Sequence, residues 1–214
     1  MPRRLTTKRG KPCRKPLPSV LIVVEGTRTE PQYFKALCAR LKIAAEVIVY
    51  SPKATDPAGL VRAAIDMKSR RQREVRKSST LVAYDEVWAV FDQEEHLPKD
   101  NINTAWQLAE SHKVKLAFSV PSIEFWFLLH CRQTAKPFAT SAEVISELRK
   151  MLPNYGKSNV CLEQLLSLVP DGVANAQWLR SNREPGDYCC PYTEVDLLVS
   201  YLDSCAREEN RLLA

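Results

Sequence analysis

The chain contains no apolar run of the ~18 residues that crossing a bilayer requires, and its first residues lack the apolar core of a signal peptide. It has no C-x-x-C and only three histidines, so no zinc-finger spacing arises. Seven cysteines are scattered along it, and the single close pair, Cys189-Cys190, is too tight for both thiols to clamp one metal. That usage predicts reduced thiols in a cytoplasmic protein. No G-x-x-x-x-G-K-[ST] and no G-x-G-x-x-G occurs, which disfavours nucleotide hydrolysis by a P-loop. The absence of G-x-S-x-G, and of any visible Cys–His pairing, disfavours the serine-hydrolase and cysteine-protease classes. Internal repeats and low-complexity segments are also missing.

What is present suits one compact unit: 214 residues, 45% hydrophobic. The net charge of +6 is unevenly placed. Residues 1–15 hold seven of the 31 cations and no acid, which leaves 24 cations against 25 acids, about −1, for the rest. Residues 1–17 therefore read as a basic arm whose Arg3, Arg4, Lys8 and Arg9 suit nucleic-acid phosphates, or as a solvated tail. A second basic cluster, "KSRRQREVRKSS" from Lys68, includes Arg70 and Arg71. It offers the same choice between phosphate contact and a solvated helix end.

Apolar strands and amphipathic helices alternate four times. Ser19–Val24, Glu46–Tyr50, Val87–Phe91 and Val114–Phe118 are short, apolar and partly β-branched. Between and after them, Pro31–Leu41, Pro57–Arg73, Ile102–Ser111 and Ile123–Cys131 carry helical patterns; the last, "IEFWFLLHC", is apolar nearly all round and predicts a core helix. The rhythm predicts an α/β fold with a parallel four-stranded sheet flanked by helices. Helical patterns over Ser141–Met151, Leu162–Val169 and Thr193–Leu213 predict a C-terminal extension. The expected division is a basic arm at 1–17, an α/β domain at 18–136, and a helical extension at 137–214 completing the same globular unit.

Two predicted strands end on acids. "SVLIVVEG" ends on Glu25, and "VWAVFDQEEH" ends on Asp92 with Glu94 close behind. In an open parallel sheet, ligands bind beyond the carboxyl ends of the strands. With the common strand order 2-1-3-4, these carboxylates meet at one edge. Their repulsion makes physical sense around a divalent cation, and an all-oxygen set suits Mg2+ or Mn2+. If the chain stays extended past Asp92, then Glu94 and His96 point the same way. The plain alternative is a solvated acidic turn.

Three blocks in order, "VEGTRTEPQYF", "VWAVFDQEEH" and "SVPSIEFWFLLH", with the late "PYTEVDLLV", resemble the RloB-like family, which is associated with bacterial restriction and abortive-infection loci and looks like part of the wider Toprim-fold group. The resemblance implies a Toprim-like fold and a metal-dependent nuclease in antiphage defence, with an ATPase as a possible partner. It implies that Glu25 serves acid/base work or metal binding, that Asp92 and Glu94 fill the two acid positions of D-x-D, that His96 follows as the family's histidine, and that Glu124 is the glutamate of the third block. Glu94 departs from the usual aspartate, and Cys190 stands where the family tends to have asparagine. These departures keep a second reading open, a non-catalytic nucleic-acid-binding or regulatory subunit. Beside the acids, Arg28 suits a phosphate or a neutralising role. Glu30 reads as a first-turn acid favouring its helix dipole, with contact to a site cation or Arg28 as the alternative, and His130 as a packing residue. In "NAQWLRSNREPGDY", Trp178 reads as a loop aromatic covering the core, with a stacking-and-phosphate patch formed with Arg180 and Arg183 as the alternative.

Overall fold

The computed structural model describes residues 18–43, 45–49, 56–78, 80–93, 99–156, 160–184 and 186–213. Along these the order is β1 (Val20–Val24), α1 (Thr29–Leu41), β2 (Ala45–Val49), α2 (Pro57–Val75), β3 (Glu86–Asp92), α3 (Lys99–His112), β4 (Lys115–Val120), α4 (Ile123–Cys131), α5 (Ser141–Met151), α6 (Leu162–Ser167), α7 (Val169–Ser181), β5 (Tyr192–Thr193) and α8 (Val195–Leu213). No helix among the described residues is long and apolar enough to cross a membrane.

The strands lie in the order β2-β1-β3-β4-β5. The first four are parallel and take the expected 2-1-3-4 order. The fifth is antiparallel to β4, pairing Ser119 with Thr193 and Val120 with Tyr192. The expected four-stranded, wholly parallel sheet is thus corrected to a five-stranded mixed one. Tyr192 and Thr193, the latter expected to open the last helix, form the added strand. The physical reason is hydroxyl chemistry. Thr193 Oγ1 lies 2.9 Å from Ser119 Oγ on β4 and accepts the Val195 N–H at 3.2 Å, so one side chain pins the strand and caps α8.

Every residue of β1 is buried because helices cover both faces of the sheet. One face packs Leu21, Val23, Ala89 and Phe91 against α2 and α3. The other packs Val20, Ile22, Val24 and Val90 against α1, α4 and side chains from α5, α7 and α8, so the C-terminal helices share a core with the sheet. Helix α4 is apolar all round for this reason: β4 lies on one side, α5 and α7 on others.

Helix α7 departs from the sequence expectation, which had residues 170–181 outside any helix. Pro170 occupies its first turn, where its missing N–H costs nothing. Gly172 lets it close on α4: a Cβ there would stand 2.9 Å from His130 Nδ1 and 3.1 Å from Trp126 Cη2. Both rings are fully enclosed and cannot yield. An alanine would gain about 1 kcal/mol of helix propensity but overpack a rigid contact at a cost of about 1–3 kcal/mol. Gly172→Ala is expected to lower the melting temperature; a rise on thermal unfolding would contradict this packing. Trp178 sits on α7 rather than in a loop, and is 37% exposed rather than covering the core.

Candidate functional site at the carboxyl edge of the sheet

Glu25 directly follows β1, and its backbone N–H continues the ladder by donating to the Val90 carbonyl of β3 at 3.1 Å. Asp92 closes β3 opposite Ser119 of β4. The loop after β4, with a cis Val120–Pro121 peptide, delivers the chain into α4, whose first turn carries Glu124. Glu30 lies in the first turn of α1. Two strand ends and two helix N-termini therefore aim four carboxylates at one edge.

Asp92 Oδ1 accepts the Ile123 N–H at 2.8 Å, so the N-terminus of α4 offsets part of its charge. Glu124, only 2% exposed, accepts from Ser122 Oγ at 2.6 Å and from the Tyr155 hydroxyl at 3.2 Å. Ser122 is the N-cap of α4, yet its hydroxyl makes no cap bond because it serves Glu124 instead. Glu30, 6% exposed, lies against the Gly26 backbone, where a Cβ would meet its Oε2 at 1.9 Å. Glycine after Glu25 is therefore what allows the α1 carboxylate into the site.

The acids repel one another. The Asp92 carboxyl is held well above its usual range, by burial first and then by Glu30, Glu124 and Glu25 in turn; the Ile123 N–H pulls it back only in part. The Tyr155 phenol is likewise pushed far up, by burial and then chiefly by Glu124, so it stays protonated and donates. The acids are thus electrostatic neighbours. Among the described residues, though, no three His, Cys, Asp or Glu side chains stand in an arrangement that would hold a metal ion. Glu94 and His96, two of the expected site residues, lie outside the described residues, as do Arg3, Arg4, Lys8 and Arg9.

Other candidates fall as follows. Arg28 is the exposed residue preceding α1. His130 is buried, with Nδ1 2.9 Å from the Trp126 carbonyl and Nε2 3.3 Å from the Tyr33 hydroxyl; burial lowers its pKa to about 4, so it packs as a neutral ring. Arg70 pairs with Glu74 on the surface of α2, and Arg71 pairs with Glu46 and the Tyr84 hydroxyl. Glu46 stands at the amino end of β2 and Tyr84 just before that of β3. The structure therefore sets the Arg70–Arg71 cluster at the opposite edge of the sheet from the acids. Arg180 and Arg183 are also engaged, with Asp196 and with the Cys189 and Pro191 carbonyls respectively. The Cys190 thiol reaches the Phe138 carbonyl at 3.0 Å, a backbone tie at that position.

Two residues add to the site read from sequence. Glu30 carried a signal, a first-turn acid four residues after Gly26, but it fitted a dipole role equally well. Tyr155 carried none, since it lies in the turn after α5 and reaches Glu124 only through the tertiary fold.

Among known proteins, no curated protein and no solved structure matches the chain. The family described as RloB-like protein matches residues 20–202, a span that contains every element from β1 to most of α8. The chain belongs to the RloB-like protein family.

Proposed function

We propose that the chain is a divalent-cation-dependent phosphodiesterase that cleaves nucleic acid, with a Toprim-like core and a role in antiphage defence. One observation carries this: at the carboxyl edge, burial and three neighbouring carboxylates, Glu30, Glu124 and Glu25, raise the Asp92 pKa. A hard cation fits that donor set in chemistry and would relieve the repulsion. Glu25, Asp92 and Glu94 would hold Mg2+ or Mn2+, which supplies a water of lowered pKa and neutralises charge on the phosphodiester. Ser122 and Tyr155 fix the Glu124 carboxylate, and the Ile123 N–H fixes one oxygen of Asp92, so neither acid spends rotational freedom during reaction. The basic arm would hold the phosphate backbone. The Arg70–Arg71 cluster, at the far edge, would serve only a strand that wraps the domain.

The test is incubation of the full chain with Mg2+ or Mn2+ on single- and double-stranded DNA and on RNA. Cleavage is expected with either ion, none with EDTA, and none from Glu25→Gln. Intact nucleic acids under all these conditions, with the protein folded, would overturn the reading.

A second reading is a non-catalytic nucleic-acid-binding or regulatory subunit, with an ATPase as its partner. It is favoured by the protein donors already on both Glu124 oxygens and on one Asp92 oxygen. Titration calorimetry with Mg2+ separates the two: binding abolished by Glu25→Gln supports the enzyme, and no binding supports the subunit.

A further inference from the structure

On the α3 side of the same edge lies a cavity of about 640 Å3. Gln93, Asn103, Trp106, Val120, Tyr188 and Cys190 are among the residues that line it. Its walls are half-buried aromatic rings, Trp106 and Tyr188, with centroids 4.7 Å apart, backed by the buried Phe118 at 6.1 Å and 5.4 Å from them. Phe118 in turn stacks on Tyr192. Trp106, Tyr188 and Phe118 meet at 56–71°, the edge-to-face arrangement aromatic clusters favour, and two of the three rings line the cavity. Gln93, a half-buried residue, brings its amide to the lining at the strand end. Asn103, exposed at the mouth, adds a second amide.

Flat rings beside amides that both donate and accept suit one ligand class above others. We infer that this cavity is a nucleobase subsite, in which a base stacks on one of the Trp106 and Tyr188 rings, against the edge of the other, while the Gln93 and Asn103 amides bond its polar edge. The inference rests on the phosphodiesterase reading for its purpose, because Gln93 follows Asp92 directly. In extended chain, consecutive side chains take opposite faces. Asp92 reaches Ile123 on the α4 face, whereas Gln93 lines the cavity on the α3 face. The Gln93 N–H bonds the Ser119 carbonyl at 2.8 Å, which holds this junction in line with β4. A nucleotide laid across the strand end would place its base on one side and its phosphate among the carboxylates on the other. The volume is within the range of small-ligand sites.

The test titrates the full chain with AMP, GMP, CMP and UMP, and with ribose 5-phosphate as the baseless probe, following tryptophan fluorescence and calorimetric heat. At least one nucleotide is expected to bind and ribose 5-phosphate to bind at least about tenfold more weakly, the scale of one base–aromatic stack. Trp106→Ala should weaken nucleotide binding by a similar factor. Because that variant also touches Phe118, Gln93→Leu and the surface change Asn103→Leu provide independent arms, each expected to alter the ranking of the four nucleotides while leaving the melting curve cooperative. Equal binding of ribose 5-phosphate, no binding of any nucleotide, or an unchanged ranking in both amide variants overturns the subsite. Nucleotide binding lost in Trp106→Ala, without any metal-dependent cleavage, upholds the subsite and rejects the phosphodiesterase. Cleavage of abasic and ordinary strands at the same rate upholds the phosphodiesterase and rejects the subsite.

Discussion

Asp92→Asn is expected to raise the melting temperature of the metal-free protein at pH 7 and to abolish Mg2+-dependent stabilisation and cleavage together. The substitution is nearly isosteric, and the amide oxygen still accepts the Ile123 N–H that Asp92 accepts at 2.8 Å. What it removes is a charge that the fold disfavours. The Asp92 carboxyl titrates well above its ordinary value when folded, through burial and then Glu30, Glu124 and Glu25. Unfolded, it titrates near the ordinary aspartate value of about 3.9. Between those two points the folded chain binds more protons than the unfolded one, so stability falls as pH rises through the window. Above the folded pKa the whole penalty is felt, at about 1.4 kcal/mol for each unit of elevation. Wild type and Asp92→Asn should therefore melt alike near pH 3.5 and diverge as pH rises, with the variant higher. Added Mg2+ should close that gap by stabilising wild type alone, since a ligand raises stability only where it binds the folded state. Activity should fall by about 100-fold or more, the usual scale for removing one preorganised electrostatic group. A variant that melts lower than wild type throughout the metal-free pH range, or one that Mg2+ stabilises equally, would remove the electrostatic basis for a cation at this edge.

The same edge shows which kinds of information a linear sequence carries. The first four strands were legible because short β-branched runs ending in turn or acid signals report burial directly, and α4 was legible to the residue because its apolar character has no polar face to blur it. Their order followed from a general rule for open sheets, which sufficed to bring Glu25 and Asp92 to one place. Strand β5 was not legible. It is two residues long, and what makes it a strand is Ser119, 74 positions away. Helix α7 was obscured by Pro170 and Gly172, residues that usually interrupt a helix; here proline sits in the first turn and glycine meets His130 and Trp126. Arg70 and Arg71 were legible as a basic cluster, but charge composition carries no direction, and only the topology of α2 sends them to the far edge. Glu30 illustrates a further limit. A first-turn acid favours its helix whether or not it also faces a ligand, so one local role concealed another until the Gly26 contact was visible.

Arg180→Met is expected to be the most destabilising single change outside the core, at about 3–5 kcal/mol. Arg180 on α7 grips Asp196 in the first turn of α8 with both terminal nitrogens, each at 2.5 Å, and donates to the Thr193 carbonyl at 3.1 Å. Asp196 is completely buried, and burial lifts its carboxyl above the usual range even though Arg180 opposes the shift. Desolvation therefore exceeds what the partner returns, so an Asp196 left alone would be a buried charge with only the Asp196 and Leu197 N–H groups to offset it. For a chain of this length, 3–5 kcal/mol corresponds to a fall in melting temperature on the order of 10 °C. Replacing both members, Arg180→Met with Asp196→Leu, should recover most of that loss, because two apolar groups need no desolvation. Arg180→Lys should fall between, since it keeps the charge but not the fork. The consequence reaches the candidate site. Thr193 holds β5 against Ser119, Ser119 pairs with Asp92, and the Gln93 N–H bonds the Ser119 carbonyl. Loss of the Arg180 grip should thus loosen the acidic edge before the rest of the sheet, with faster amide hydrogen exchange at Gln93 and Glu194, whose N–H groups bond the Ser119 and Phe118 carbonyls, than at Leu21 or Ile22 in the sheet centre. A single variant that melts within a degree or two of wild type, or a double variant no better than the single, would show that α7, α8 and β5 are held by packing alone and that the site does not depend on this ion pair.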